Sequence, residues 1–151
     1  MTGDFIIRDG RAEDAAASAA IYNAWVDATP WMPRIHPADG VERFFCNRIF
    51  GVCTVIVSEE GGEIRGILAF DAEGYIAVLS IADAARGKGI GAALLSEAKR
   101  RRPEGLMAWT FQANEGAQRF YLRQGFREET RTEGENEEGL PDILYVWGRA
   151  P

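Results

Sequence analysis

The chain has 151 residues, a length that fits one domain spanning 1–151 with a core large enough to need no disulfide staples. Its composition, 46% hydrophobic and 26% charged, is that of an ordinary soluble globular protein. A net charge of −6 argues against nucleic acid as a partner, because a phosphate backbone calls for a basic face, although a local anion site stays open.

"DFIIR" (Asp4–Arg8) reads as a first short strand. "RAEDAAASAAIYNAWVDA" follows with strong helix formers, and Asp9 or Gly10 stands near its start. Pro30, Pro33 and Pro37 then make "TPWMPRIHP" an irregular loop, since no helix survives that density of proline. "ADGVERFFCNRIF" reads as a second helix, with Val41, Phe44, Phe45 and Ile49 near helical spacing. The segment from Cys53 to Ile81 is rich in β-branched residues and broken by two hairpin signals, "EEGGE" and "DAEG", which predicts three consecutive antiparallel strands. A glycine turn at Gly87, Gly89 and Gly91 feeds a helix that Pro103 stops, with Ile90, Leu94, Leu95 and Ala98 on one face. "LMAWTF" is the next strand. "NEGAQRFYLRQ" is a helix capped by Asn114 and ended by Gly125, and "FREETR" and "DILYVWG" close the chain around the acidic loop "TEGENEEGLP".

This order is mixed α/β, without the strict alternation of a doubly wound sheet. Cys46 and Cys53 form no disulfide framework and lack CxxC spacing, so they read as reduced thiols, and no metal is expected. No apolar run approaches the ~20 residues of a membrane span, and the first residues show no basic-then-apolar leader. A cytoplasmic protein without membrane partners is expected.

A glycine turn opening a helix is a phosphate cradle: glycine lets the backbone approach closely, and the first helical N–H groups point at the anion. A Walker A motif is excluded, because Gly89 follows Lys88 where a hydroxyl residue is needed. Gly87, Gly89 and Ala92 fit a dinucleotide turn, but the next strand, "MAWTFQ", lacks the carboxylate for a ribose, and an antiparallel meander precedes the turn. Arg86 and Lys88 add charge beside the loop, so a pyrophosphate is the natural guest.

The chain here resembles the GNAT N-acetyltransferase superfamily. Arg86, Gly89 and Gly91 match the family's pyrophosphate motif [RQ]-x-x-G-x-[GA]. Asn114, Ala117, Phe120, Tyr121, Gly125 and Phe126 match N-x-x-A-x-x-F-Y-x-x-x-G-F, and "VLSI" matches the strand before the turn. Asp83 stands where members often carry proline. The resemblance implies a mostly antiparallel central sheet of about seven strands with about four helices, and acetyl-CoA as the donor in direct transfer to an amine. It also implies a cofactor-binding set: Leu79, Ser80 and Ile81 on the strand, Arg86, Gly87, Lys88, Gly89, Ile90, Gly91 and Ala92 on the turn, and Asn114, Ala117, Phe120 and Tyr121 on the later helix.

The pantetheine arm carries amides that can pair with an exposed strand edge, and N–H groups there can polarise the thioester carbonyl. Tyr121 is the expected acid for the departing thiolate. Free tyrosine donates to a thiolate uphill by roughly 2 kcal/mol, which a positioned site can offset; the competing role is a plain core aromatic. On the acceptor side Trp31, His36 and Glu73, with Asp71 beside it, are the candidates, and a water chain could replace the last three. The acidic segment Glu128–Glu138 could attract a cation or simply be solvated. "KRRR" (Lys99–Arg102) suits a helix C-terminus. Two other functions stay open: a non-catalytic acyl-CoA sensor on the same fold, and a nicotinamide-dependent oxidoreductase. The edge strands could also pair in a homodimer.

Overall fold

The computed structural model describes residues 4–148. Seven strands form in the expected order: β1 (Ile6–Asp9), β2 (Thr54–Glu60), β3 (Glu63–Phe70), β4 (Ile76–Ile81), β5 (Gly105–Phe111), β6 (Arg127–Thr132) and β7 (Asp142–Gly148). They divide into a four-stranded sheet, β1-β2-β3-β4, and a three-stranded sheet, β5-β7-β6, with every pairing antiparallel. Helix α1 is Ala15–Ala28, α2 starts as Ala38–Phe44, α3 is Ile90–Arg101 and α4 is Glu115–Arg123. Helix α2 continues through a π-helical turn, Phe45–Ile49, into a last turn, Phe50–Val52.

The four-stranded sheet is covered on both faces, which is why β2 and β3 read as continuous apolar runs. Val55, Val57, Ile67 and Ala69 face α1 and α2 in one core, while Ile56, Leu68 and Phe70 face α3 in the other. Alternation with period two sends neighbours along each strand to opposite cores. The expected face of α3, Ile90, Leu94, Leu95 and Ala98, is fully buried in the second core. Burying one such leucine contributes about 1.5–3 kcal/mol.

The local signals set the joints. Gly61 and Gly62 turn β2 into β3 with φ of 60° and 82°, the left-handed pair a two-residue hairpin needs. Helix α1 is anchored in front by a 3-10 turn, Ala12–Asp14, whose Asp14 carboxylate accepts from the Arg11 N–H at 2.8 Å. Asp14 also pairs with two nitrogens of Arg8 at 2.8 and 3.1 Å, which ties β1 to the start of α1.

Lys99 does more than complement its own helix dipole. Its ammonium donates to the Gln124 carbonyl at the end of α4 and lies 5.0 Å from the centre of the Trp147 ring, so it fastens α3 to α4 and β7. Arg100 and Arg101 both pair with Glu97.

Candidate active site

The two sheets meet at one point. Strands β4 and β5 start side by side in parallel, but among the described residues the one bridge between them joins Tyr75, just before β4, to Met107, whose N–H donates to the Gly74 carbonyl at 2.8 Å. The register of β4 then slips: Ile76 faces Phe70 and Val78 faces Ala69, which leaves Ala77 as an extra residue. A bulge of this kind bends its strand and disrupts pairing locally. Beyond it β4 and β5 diverge, and the outer edge of β4 through Leu79, Ser80 and Ile81 has no strand partner among the described residues. The opening is a cavity of about 780 Å³ that those three residues border.

One end of the cavity is the glycine turn. Gly87 and Gly89 both adopt φ of 82°, and a Cβ built on either would meet nothing within 4 Å. Both positions therefore need glycine for backbone conformation, and the space beside them is open. The first bond within α3 runs from the Ala93 N–H to the Gly89 carbonyl, at 3.0 Å. The N–H groups of Ile90, Gly91 and Ala92 have no acceptor inside the helix, and they carry the positive end of its dipole. Arg86, Gly87, Gly89, Ile90, Gly91 and Ala92 all border the cavity. Lys88 does not: its ammonium is held by the Glu60 carboxylate at 3.1 and 3.2 Å, at the end of β2. Arg86 lies 3.4 Å from Asp83, and both are exposed.

Helix α4 supplies the opposite wall. The Asn114 side chain caps it, accepting from the Ala117 N–H at 3.1 Å, and Asn114, Ala117, Phe120 and Tyr121 all border the cavity. A Cβ on Gly91 would meet the Phe120 ring at 3.4 Å, so α3 and α4 are packed closely there. Tyr121 is only 6% exposed, with its ring stacked on Tyr145 at 5.9 Å and against Phe126 at 5.1 Å. Its hydroxyl has no hydrogen-bond partner among the described residues. Burial pushes the phenol well above its ordinary value, so the proton stays on at neutral pH. Tyr121 is thus both a core aromatic and a cavity residue.

The other end of the cavity is aromatic and acidic. Tyr22 and Trp25 of α1 face Trp109 and Phe111 of β5 there, with Glu138 from the β6–β7 loop. Trp31 is not in the wall, but its ring packs edge-on against Phe111 and Trp25, each at 5.8 Å, and so holds the wall in place. His36 reaches across from the α1–α2 loop to the β6–β7 loop, its Nε2 2.9 Å from Glu137, and both side chains are exposed. Met32 and Phe45 are buried, whereas Phe44 is 53% exposed.

Glu73 is not brought to this opening. It sits in the turn beside Tyr75, at the joined end of the two sheets, and the neighbouring Asp71 carboxylate accepts from the Glu73 and Tyr75 N–H groups at 3.0 Å each. None of Lys99–Arg102 borders the cavity. Sequence reasoning missed the walls Ala77, Tyr22 and Trp109, and it reached Glu138 only as the end of the acidic segment Glu128–Glu138. Only the bulge could have left a local signal, and "YIAVLSI" (Tyr75–Ile81) carries no glycine or proline to mark it.

Comparison with known proteins agrees with this geometry. Residues 35–146 match the acetyltransferase (GNAT) domain family, a span that includes the glycine turn, the splayed strands and Tyr121. A ribosomal-protein-alanine N-acetyltransferase from Brucella melitensis has a similar structure (TM-score 0.75, 24% identity, 94% of this chain and 98% of that one). So does apo YjaB from Escherichia coli (0.75, 24%, 95% and 97%). A third is yncA from Salmonella typhimurium, solved with its cofactor acetyl-CoA (0.74, 22%, 98% and 95%). No curated protein matches the chain. At these identities the likeness of structure establishes the fold. The family match covers most of the sequence and contains the glycine turn and α4, and on that ground the chain belongs to the GNAT acetyltransferase family.

Proposed function

We propose that the chain moves an acetyl group from acetyl-CoA to a primary amine of a small molecule or peptide, by direct attack in a ternary complex. The observation that carries this reading is the wedge between β4 and β5. It has an anion cradle at one end, an unpaired strand edge along its length and a protonated, buried tyrosine in its wall.

The turn Gly87–Ala92 holds the pyrophosphate through N–H groups. The edge of β4 pairs with the pantetheine amides as an added strand, which fixes the thioester between the sheets. N–H groups of that edge polarise the thioester carbonyl. The neutral amine forms the new C–N bond while the carbonyl oxygen takes up negative charge, and the amine's proton passes to water or a nearby carboxylate. Collapse breaks the C–S bond, and Tyr121 gives its proton to the departing thiolate. The tyrosinate regains a proton from solvent. Burial raises the cost of the tyrosinate, so the transfer is uphill by more than the roughly 2 kcal/mol of the free groups. Positioning of Tyr121 against the sulfur, and loss of water around the thiolate as it leaves, must offset that cost.

Incubation with acetyl-CoA and a library of amines, read by thiol release, tests the proposal. Release that depends on an amine supports it. Tight binding of coenzyme A with no turnover on any amine replaces it with an acyl-CoA sensor on the same fold.

A further inference from the structure

We propose that the acceptor carries a second positive charge, with its reacting nitrogen in the cleft and its cationic tail lying along Trp109 against the carboxylate of Glu138. This rests on the acetyl-transfer reading above and specifies the class of amine.

A second hollow, of about 420 Å³, adjoins the cleft. Trp109, Thr110, Phe111 and Glu138 border both, so the two spaces are contiguous at the C-terminal end of β5. The remaining walls are Thr132, Glu135, Asn136 and Asp142, with no lysine, arginine or histidine among them.

The three carboxylates differ. Asp142 is 8% exposed and is occupied by the Thr132 hydroxyl and the Asn136 amide. Glu135 accepts from the Glu133 N–H of its own turn at 2.9 Å. Glu138 stands at the seam of the two hollows, half-buried, and has no hydrogen-bond or ion-pair partner among the described residues. Arg34 is engaged by Asp27 at 2.9 Å and Asn23 at 3.0 Å, and the His36 ring is held by Glu137. Glu138 also acts across the opening on Tyr22, whose phenol is raised first by burial and then by the Glu138 and Glu137 charges.

Two features of β5 point to an occupant. Trp109 is 45% exposed in a strand whose other residues up to Thr110 are nearly all buried, which leaves an indole open beside a carboxylate. An aromatic face next to a negative charge suits an alkylammonium chain, through cation–π attraction and apolar contact with its methylenes. Thr110, only 5% exposed, borders both hollows, and its hydroxyl has no hydrogen-bond partner among the described residues. That hydroxyl is open to the hollows, where it can meet a donor or acceptor of the occupant. A merely solvated acidic loop leaves the open indole of Trp109 unexplained.

The test is titration calorimetry of the protein saturated with coenzyme A, using a diaminobutane and n-butylamine as probes, on wild type and Glu138→Gln. Wild type is expected to bind the diamine about tenfold tighter, in line with one charge-assisted contact in a partly screened site. Glu138→Gln should bring the two probes within about twofold. Equal affinities in wild type, or a preference that survives Glu138→Gln at unchanged melting temperature, overturns the inference. Thiol release on the same two amines is read separately. If neither amine nor any other is acetylated while the binding preference holds, the acetyl-transfer reading fails and the cation subsite stands.

Discussion

Replacing Gly89 by alanine separates the conformational need for glycine from its role in binding. At φ of 82° an L-residue incurs about 1–2 kcal/mol of backbone strain. A built Cβ meets nothing within 4 Å, so no steric cost is added. Either the strained loop persists, and the melting temperature falls by roughly 2–8 °C for a domain of this size, or the loop relaxes and its N–H groups leave their alignment. In the second case the energy of returning the loop to its anion-binding shape appears in the affinity for acetyl-CoA, which should weaken by about fivefold to thirtyfold; in the first it appears in the melting temperature alone. Gly61 provides a matched control: φ of 60°, equally open space, and a place in the β2–β3 hairpin outside the cleft wall. Gly61→Ala should lower the melting temperature by a similar amount and leave acetyl-CoA affinity unchanged. Calorimetric titration of acetyl-CoA into the three proteins decides it. If Gly89→Ala melts like wild type, so that its loop has relaxed, and still binds as tightly as Gly61→Ala, the glycine turn does not cradle the donor.

Tyr121→Phe keeps the packed ring and removes a hydroxyl with no partner among the described residues. Stability should change by less than about 1 kcal/mol while kcat falls by about a hundredfold; an unchanged kcat refutes the acid role. Because burial raises the Tyr121 phenol above its ordinary value of about 10, the unfolded chain releases that proton first. Chemical denaturation should therefore show stability constant with respect to this group below about pH 10 and falling above it, with the fall reduced in Tyr121→Phe. Asn114→Ala should cost about 1 kcal/mol by uncapping α4, and Asn114→Asp should restore that stability. If the amide also donates to the donor's arm, acetyl-CoA affinity stays weakened in Asn114→Asp, and full recovery leaves the residue as a cap alone. Asp14→Asn breaks the two-point pair with Arg8 and should lower stability by about 2–3 kcal/mol near neutral pH. The hydrogen bond from Arg8 holds the Asp14 carboxyl below its usual range, so this contribution is present above about pH 4 and lost as pH falls through the lower folded value. A wild-type and variant difference that does not narrow in acid contradicts that assignment.

What was legible in the sequence is what short stretches of chain decide by themselves. The hairpin at Gly61 and Gly62, the glycine turn, the buried face of α3 and the Asn114 cap are all local, and all appear as read. The split of seven strands into two sheets depends on one extra residue, Ala77, whose bulge turns β4 away from β5. An alanine among β-branched residues gives no sign of that. Lys88 looked like charge for the cradle, but Glu60, 28 positions earlier, draws it aside. Glu73 was close in sequence to the cofactor strand yet lies at the joined end of the wedge, because the direction of β4 decides which end opens. The acceptor end assembles Tyr22, Trp109 and Glu138 from α1, β5 and the β6–β7 loop, and no spacing rule links residues so far apart.

The central claim is direct transfer from acetyl-CoA to an amine, and mass spectrometry of one reaction tests it most directly. The protein is mixed with acetyl-CoA alone, and then with an amine that supports thiol release. The account predicts an unmodified chain mass in the first mixture, and in the second an acetylated amine in equal amount to the free coenzyme A. An acetylated chain that passes its group to the amine after acetyl-CoA is removed would contradict it.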